Sequence, residues 1–132
     1  MEFLPCVGTL TILNGAMAFR MSLFRLHEVP AADEGNEHSF FSRFSETQLL
    51  TSEWFAVGAG LIVAHAIRAN NLTRWSHTET AALYLSWAFV VGRIGFAARS
   101  FFPRKSWIVI DSPVMTMSYF STFILGAMLL LL

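Results

Sequence analysis

Four apolar segments, separated by polar connections, make up most of this 132-residue chain. Residues 3–19, 54–67, 80–92 and 112–132 contain no Asp, Glu, Lys or Arg. About 20 apolar residues of α-helix are enough to cross the hydrocarbon core of a bilayer. The composition agrees, because 55% of the residues are hydrophobic and only 14% are charged, against about 25% charged in soluble domains. The sequence therefore predicts an all-α integral membrane protein with a bundle of four transmembrane helices.

The two central apolar segments are short, so their helices must extend into neighbouring polar residues. We expect helices over about residues 3–25, 45–69, 79–101 and 112–132, within a single domain that covers 1–132. Pro113 suits the first turn of the last helix, where a missing N–H costs nothing. Gly92 and Gly95 in the third helix are small enough to let another helix approach closely. The first segment should remain as a membrane anchor, because Glu2 and the missing cleavage site do not suit a signal peptide.

The distribution of Lys and Arg predicts how the four helices are oriented. One side of the membrane carries Arg68 and Arg74, whereas the other carries Arg20, Arg25, Arg43, Arg99, Arg104 and Lys105. An excess of positive residues favours the cytosolic side. We therefore expect loops 26–45 and 99–111 on the cytosolic, matrix or stromal face. The sequence leaves the endoplasmic reticulum, the mitochondrion and the plastid open as locations.

Glu53 and Arg93 flank the two short central segments. Because the helices must extend past these segments to span the membrane, both ionisable side chains should lie within it. A charged side chain in a transmembrane helix is costly and is a candidate functional residue by default. One hypothesis is a structural pair between Glu53 and Arg93 that locks the second helix to the third. The other is a polar ligand pocket between the helices. Arg99 also has two interpretations, since it would either bind an anionic ligand or extend to lipid phosphates at the membrane surface.

Other site chemistries find little support in the sequence. The formal net charge is zero, so nothing indicates a nucleic-acid partner. His65 has no second His or Cys at a ligand spacing, and no metal site is predicted. Cys6 is the single cysteine and is interpreted as a small apolar side chain of the first helix. The expected partners are membrane lipids and other membrane subunits, or further copies of the same chain.

Two segments resemble a known family of small membrane proteins. The second helix contains Gln48-x-x-x-Ser52-Glu53-Trp54-Phe55, and the third runs from Ala81-Ala82-Leu83 to Arg93. Both resemble signatures of the membrane-associated proteins in eicosanoid and glutathione metabolism (MAPEG), which include microsomal glutathione transferases and leukotriene C4 synthase. The resemblance implies a four-helix bundle, a homotrimer and a glutathione site between subunits near the cytosolic face.

The match to this family is incomplete at positions that would contact glutathione. The family has an arginine and an asparagine where this chain has Glu46 and Leu50, and tyrosines where it has Phe96 and Ser100. Glu46 reverses a charge where a carboxylate of the peptide would bind. Leu50 and Phe96 remove hydrogen-bonding groups, each worth about 1.5–3 kcal/mol when it meets a charge.

Two functions therefore fit the sequence. In the first, the chain keeps a MAPEG-like scaffold and acts as a structural or accessory subunit of a membrane protein assembly. In the second, it is a glutathione-dependent transferase or peroxidase acting on lipophilic substrates. The resemblance would then assign Gln48, Glu53, Trp54 and Arg93 to glutathione binding. Arg93 or Arg99 would stabilise the thiolate, which is the reacting nucleophile.

Overall fold

Each of the four apolar segments forms one long helix. The computed structural model describes residues 2–26, 40–71, 74 and 76–131. The helices are α1 (Leu4–Leu26), α2 (Phe40–Asn70), α3 (His77–Ala98) and α4 (Trp107–Leu131). Two short 3-10 turns, Arg99–Phe101 and Arg104–Ser106, connect α3 to α4. All four helices are long and apolar enough to cross a membrane, which confirms the predicted four-helix membrane bundle.

The interior of the bundle is filled by two apolar clusters. α3 packs most extensively against α4, and α1 against α2. The larger cluster lies where α1 begins and α2 ends, and its members include Phe3, Cys6, Ile62, Phe89 and Leu125. The smaller cluster lies towards the opposite end and consists of Met17, Met21, Phe44 and Ala97. Both clusters combine residues from several helices and hold the bundle together.

The outside of the bundle is also apolar, as expected for a surface in contact with lipid. Large hydrophobic side chains remain exposed on every helix, among them Ile12, Ile67, Tyr84 and Phe123. Soluble monomers rarely expose so continuous an apolar surface. The chain is therefore a multi-pass membrane protein.

Glycines allow α3 to approach its neighbours closely, as the sequence predicted for Gly92 and Gly95. A Cβ atom on Gly92 would lie 2.8 Å from Ser118 Oγ, and one on Gly95 would lie 2.7 Å from Val114 Cγ1. The sequence analysis did not anticipate a third close contact. A Cβ atom on Gly58 of α2 would lie 2.0 Å from the ring of Phe89.

Two helices begin earlier than expected. α2 begins at Phe40 instead of near Ser45, and α4 begins at Trp107 instead of residue 112. Pro113 therefore lies inside α4, and its expected place in the first turn is wrong. The 3-10 turn before α4 leads directly into the helix, since Ser106 N–H bonds to Pro103 C=O at 2.9 Å. Most of the predicted loop 26–45, residues 27–39, lies outside the described residues.

Candidate functional site

Arg93 is almost completely buried between α3 and α4. Its side chain is 1% exposed, and its Nε and Nη2 atoms donate to Ser118 Oγ at 3.2 and 3.0 Å. Nη2 also lies 3.6 Å from Met115 Sδ. The guanidinium carbon lies near three aromatic rings, at 4.6 Å from the centroid of Phe96, 5.4 Å from Trp54 and 5.9 Å from Phe89. Aromatic faces and one hydroxyl thus stabilise the buried charge.

The expected ion pair between Glu53 and Arg93 does not form. Glu53 is exposed on α2, and the buried Arg93 guanidinium bonds to Ser118 of α4 instead. Successive residues of an α-helix point about 100° apart. Trp54 faces Arg93, and this rotation turns the preceding Glu53 outwards. The prediction of a structural pair is wrong, and the carboxylate faces the surroundings of the bundle.

Arg99 is buried as well, and it is held by a carboxylate within the same chain. The side chain is 4% exposed, and its Nη1 lies 2.6 Å from Asp111 Oδ2. Its Nε donates to Thr47 Oγ1 at 3.2 Å, which connects α2 to the turn between α3 and α4. The guanidinium carbon lies 3.9 Å from the ring centroid of Trp107. Arg99 therefore does not extend to the membrane surface, and that interpretation is wrong.

The two arginines share one aromatic ring and retain unused hydrogen-bonding capacity. Phe96 lies 4.6 Å from the Arg93 guanidinium and 4.1 Å from that of Arg99. Arg93 Nη1, Arg99 Nη2 and Asp111 Oδ1 are buried without a hydrogen-bond partner. We call Arg93, Arg99 and Asp111 the arginine cluster. It contains two cations and one carboxylate, and such an excess of positive charge attracts an anion.

The remaining predicted glutathione residues point in different directions. Gln48 Nε2 donates to Ser52 Oγ at 3.0 Å, and that hydroxyl donates to Asn14 Oδ1 at 3.0 Å. Gln48 therefore belongs to a polar contact between α1 and α2. Trp54 packs edge-on against Tyr119 of α4, with ring centroids 4.9 Å apart. Within one chain, the structure brings Trp54 to Arg93 but leaves Gln48 and Glu53 elsewhere.

A second polar site, at the opposite end of the bundle, was missed by the sequence analysis. Glu79 is 1% exposed and lies 2.9 Å from Arg68 Nη1. It also accepts the backbone N–H of Ser76 at 2.9 Å and contacts the Ser76 hydroxyl. The sequence does contain a pattern that indicates this site, because Ser76-x-x-Glu79 has the spacing of a helix capping box. This site joins the end of α2 to the start of α3.

His65 is a third buried polar residue, in the middle of the apolar core. It is 1% exposed, and its Nε2 lies 2.9 Å from Leu125 C=O. Because a carbonyl oxygen only accepts hydrogen bonds, Nε2 carries the proton. Nδ1 has no hydrogen-bond partner. The ring thus connects α2 to α4 through the hydrogen bond that Nε2 donates.

The bundle and its buried arginines define a class: a four-helix, multi-pass membrane protein with an internal cationic cluster. No protein-family model, curated protein or solved structure matches the chain.

Proposed function

We propose that the chain is a subunit of a membrane protein assembly, with a MAPEG-like scaffold and without transferase chemistry. The observation that carries this proposal is the outward position of Glu53. A carboxylate that faces lipid at membrane depth is costly, by about 3 kcal/mol at the bilayer centre. A neighbouring subunit that supplies a cation or a hydrogen-bond donor would remove this cost.

The depth of Glu53 makes contact with water difficult. It lies eleven residues inside the candidate span Ser42–Asn70, or roughly 16 Å along the helix axis. The span is about 43 Å long, whereas the hydrocarbon core is about 30 Å thick. With the span centred, Glu53 lies roughly 10 Å below the edge of the hydrocarbon. A glutamate side chain is too short to cover that distance.

The face of α2 that carries Glu53 is suited to contact another helix. Leu49, Ala56, Val57 and Gly60 are exposed beside it, at the spacing of one helix face. A Cβ atom on Gly60 would meet nothing within 4 Å, so there is room for a neighbouring helix at this position. Small residues on a membrane helix let a partner approach closely and allow interhelical hydrogen bonds.

An apolar cleft beside this face extends the same surface to α4. The cleft has a volume of about 590 Å³ and is lined by Trp54, Tyr119, Phe120, Thr122 and Phe123. Trp54 follows Glu53 in α2. A neighbouring helix in this region would cover the cleft and bring a polar group to the carboxylate. We infer that the Glu53 face and the cleft together form the assembly surface.

One observation favours the second function, glutathione-dependent transfer to a lipophilic substrate or reduction of one. The arginine cluster has an excess positive charge and two unused guanidinium donors. A guanidinium near a thiol stabilises the thiolate. In that function Arg93 or Arg99 would hold the thiolate, and Gln48, Glu53 and Trp54 would contact glutathione with help from a second subunit. The different directions of these residues within one chain argue against this function.

Two measurements on the purified protein separate the functions. The first is isolation from the native membrane in mild detergent, followed by the composition of the particle. The second is titration with millimolar glutathione, following thiolate absorbance and conjugation of a model electrophile. We expect a stoichiometric assembly and neither glutathione signal. Saturable glutathione binding with turnover would overturn the proposal in favour of the transferase.

A further inference from the structure

The assembly surface carries a hydrogen-bond donor as well as the Glu53 carboxylate. Tyr119 of α4 lines the apolar cleft and is 51% exposed. Among the residues that the structure describes, neither the Glu53 carboxylate nor the Tyr119 hydroxyl has a hydrogen-bond partner. A carboxyl group has an oxygen that accepts a hydrogen bond in either protonation state, and a phenol hydroxyl donates one. The two groups are therefore chemically complementary.

Glu53 and Tyr119 lie at the same depth in the bilayer. The ring of Trp54, the residue after Glu53, packs against the ring of Tyr119 with centroids 4.9 Å apart. Copies that are inserted in the same direction and form a closed assembly are related by rotation about the membrane normal, and this rotation does not change depth. Tyr119 of a second copy is therefore at the level of Glu53, whatever the number of copies.

A single chain does not bring this hydroxyl to Glu53. On α2, Glu53 is turned about 100° away from Trp54, and Trp54 is the residue that meets Tyr119. The arginine at this depth is not available in a second copy, because Arg93 is 1% exposed and bonds to Ser118 of its own chain. Tyr119 is the exposed donor that a second copy can bring to the carboxylate.

The shapes of the two helix faces are complementary as well. Ala56 and Gly60 make the α2 face low at roughly 4.5 and 10.5 Å beyond Glu53 along the axis, and a Cβ atom on Gly60 would meet nothing within 4 Å. On α4, Phe123 is 80% exposed and lies about 6 Å beyond Tyr119. Because α2 and α4 run in the same direction, this ring would face the small residues of a second copy, as in closely packed membrane helices.

We propose that a second copy of this chain occupies the assembly surface, with the Glu53 carboxyl of one copy accepting a hydrogen bond from Tyr119 of the partner subunit. The inference rests on the proposed function, because it names the partner at the same surface. In a two-fold dimer the contact forms twice, since the same surface is used by both copies. Neither Glu53 then has to face lipid without a partner.

Self-association of the full chain, expressed without other subunits, tests the proposal by sedimentation equilibrium in density-matched mild detergent. We expect the wild type to contain at least two copies. Tyr119→Phe keeps the ring that packs on Trp54 and removes only the hydroxyl, so it should raise the dissociation constant about fivefold, as the loss of one polar contact in a membrane allows. Tyr84→Phe makes the same change at an exposed tyrosine of α3 and should have no effect.

A double-mutant cycle identifies the acceptor of this hydrogen bond. In a Glu53→Leu background, Tyr119→Phe should cause little further weakening, because the carboxyl that accepts the bond is already absent. Self-association that Tyr119→Phe leaves unchanged, or weakens equally in both backgrounds, would overturn the proposal.

Disulfide formation between separately tagged copies locates the interface in a Cys6→Ser background. Val57→Cys on one copy should cross-link to Phe123→Cys on the other, since each residue is exposed and lies one turn beyond Glu53 or Tyr119. Val91→Cys, exposed on α3, should not cross-link to Val57→Cys. Cross-linking of both pairs, or of the Val91 pair alone, would overturn the proposed interface.

The composition of the native particle separates this proposal from the proposed function. If the chain alone is a single copy but the native membrane yields a stoichiometric complex with other proteins, the second copy is wrong and the assembly function stands. If both preparations contain a single chain, both proposals are wrong.

Discussion

The guanidinium of Arg93 donates two hydrogen bonds to the single hydroxyl of Ser118, at 3.2 and 3.0 Å. That hydroxyl in turn donates to Val114 C=O at 2.9 Å, so its hydrogen-bonding capacity is used in both directions. The two residues join α3 to α4, the most extensively packed pair of helices. The charge that the sequence assigned to an interhelical ion pair is held instead by a serine.

Removing this hydroxyl should destabilise the bundle. We expect Ser118→Ala to lower the free energy of unfolding in detergent by about 1.5–3 kcal/mol, the usual value of a hydrogen bond to a charged group. Thr116→Ala removes an exposed hydroxyl from the same helix and should change stability by less than about 0.5 kcal/mol. Arg93→Met removes the buried charge, and in that background Ser118→Ala should have little further effect. If Ser118→Ala lowered the free energy of unfolding equally in the wild-type and Arg93→Met backgrounds, the hydrogen bonds between Arg93 and Ser118 would not contribute to stability.

The bond between Arg99 and Asp111 should be equally sensitive to the loss of one partner. Asp111→Asn leaves the Arg99 guanidinium buried without a counter-charge, and we expect a loss of about 2 kcal/mol in unfolding free energy. The side chain of Asp111 is 25% exposed, so the loss should stay below that for a fully buried pair. Glu2→Gln makes the same chemical change at an exposed position and serves as the control. If Asp111→Asn had the same midpoint temperature of thermal unfolding as the wild type, the bond between Arg99 and Asp111 would contribute nothing to stability.

The contact between Gly58 and Phe89 predicts a steric effect at a position with no charge. In Gly58→Ala, the new methyl group would lie 2.0 Å from a ring that is fully buried and has little room to move. We expect a loss of about 1–3 kcal/mol, as for overpacking of a core. Gly8→Ala meets nothing within 4 Å and should be neutral or slightly stabilising, because alanine favours helix. Circular dichroism melts of the two variants in detergent provide the comparison.

The number of helices and the close packing of α3 against α4 could both be predicted from the sequence. The uncharged runs and their lengths predict four helices, because a bilayer core requires about 20 apolar residues of helix. Gly92 and Gly95 predict close helix packing, which the structure confirms at Val114 and Ser118.

The partners of the charged residues did not follow from the pattern. They depend on how each helix is rotated about its axis, and apolar segments with nearly uniform hydrophobicity do not define that rotation. Trp54 rather than Glu53 therefore faces Arg93. Asp111 was expected in the polar loop 99–111, because it is charged. Inside the bundle, Arg99 neutralises it, and α4 begins four residues before it.

The proposed assembly depends on the outward carboxylate of Glu53 and is tested most directly by particle mass. Mass photometry or light scattering would follow the wild type and Glu53→Leu over a dilution series in mild detergent, with Glu2→Leu as the control. We predict that the wild type and the control contain more than one chain. We expect Glu53→Leu to dissociate at about tenfold higher protein concentration, because a polar contact within a membrane is worth roughly 1–2 kcal/mol. A wild-type particle of one chain, or a Glu53→Leu particle as stable as the wild type, would contradict the account.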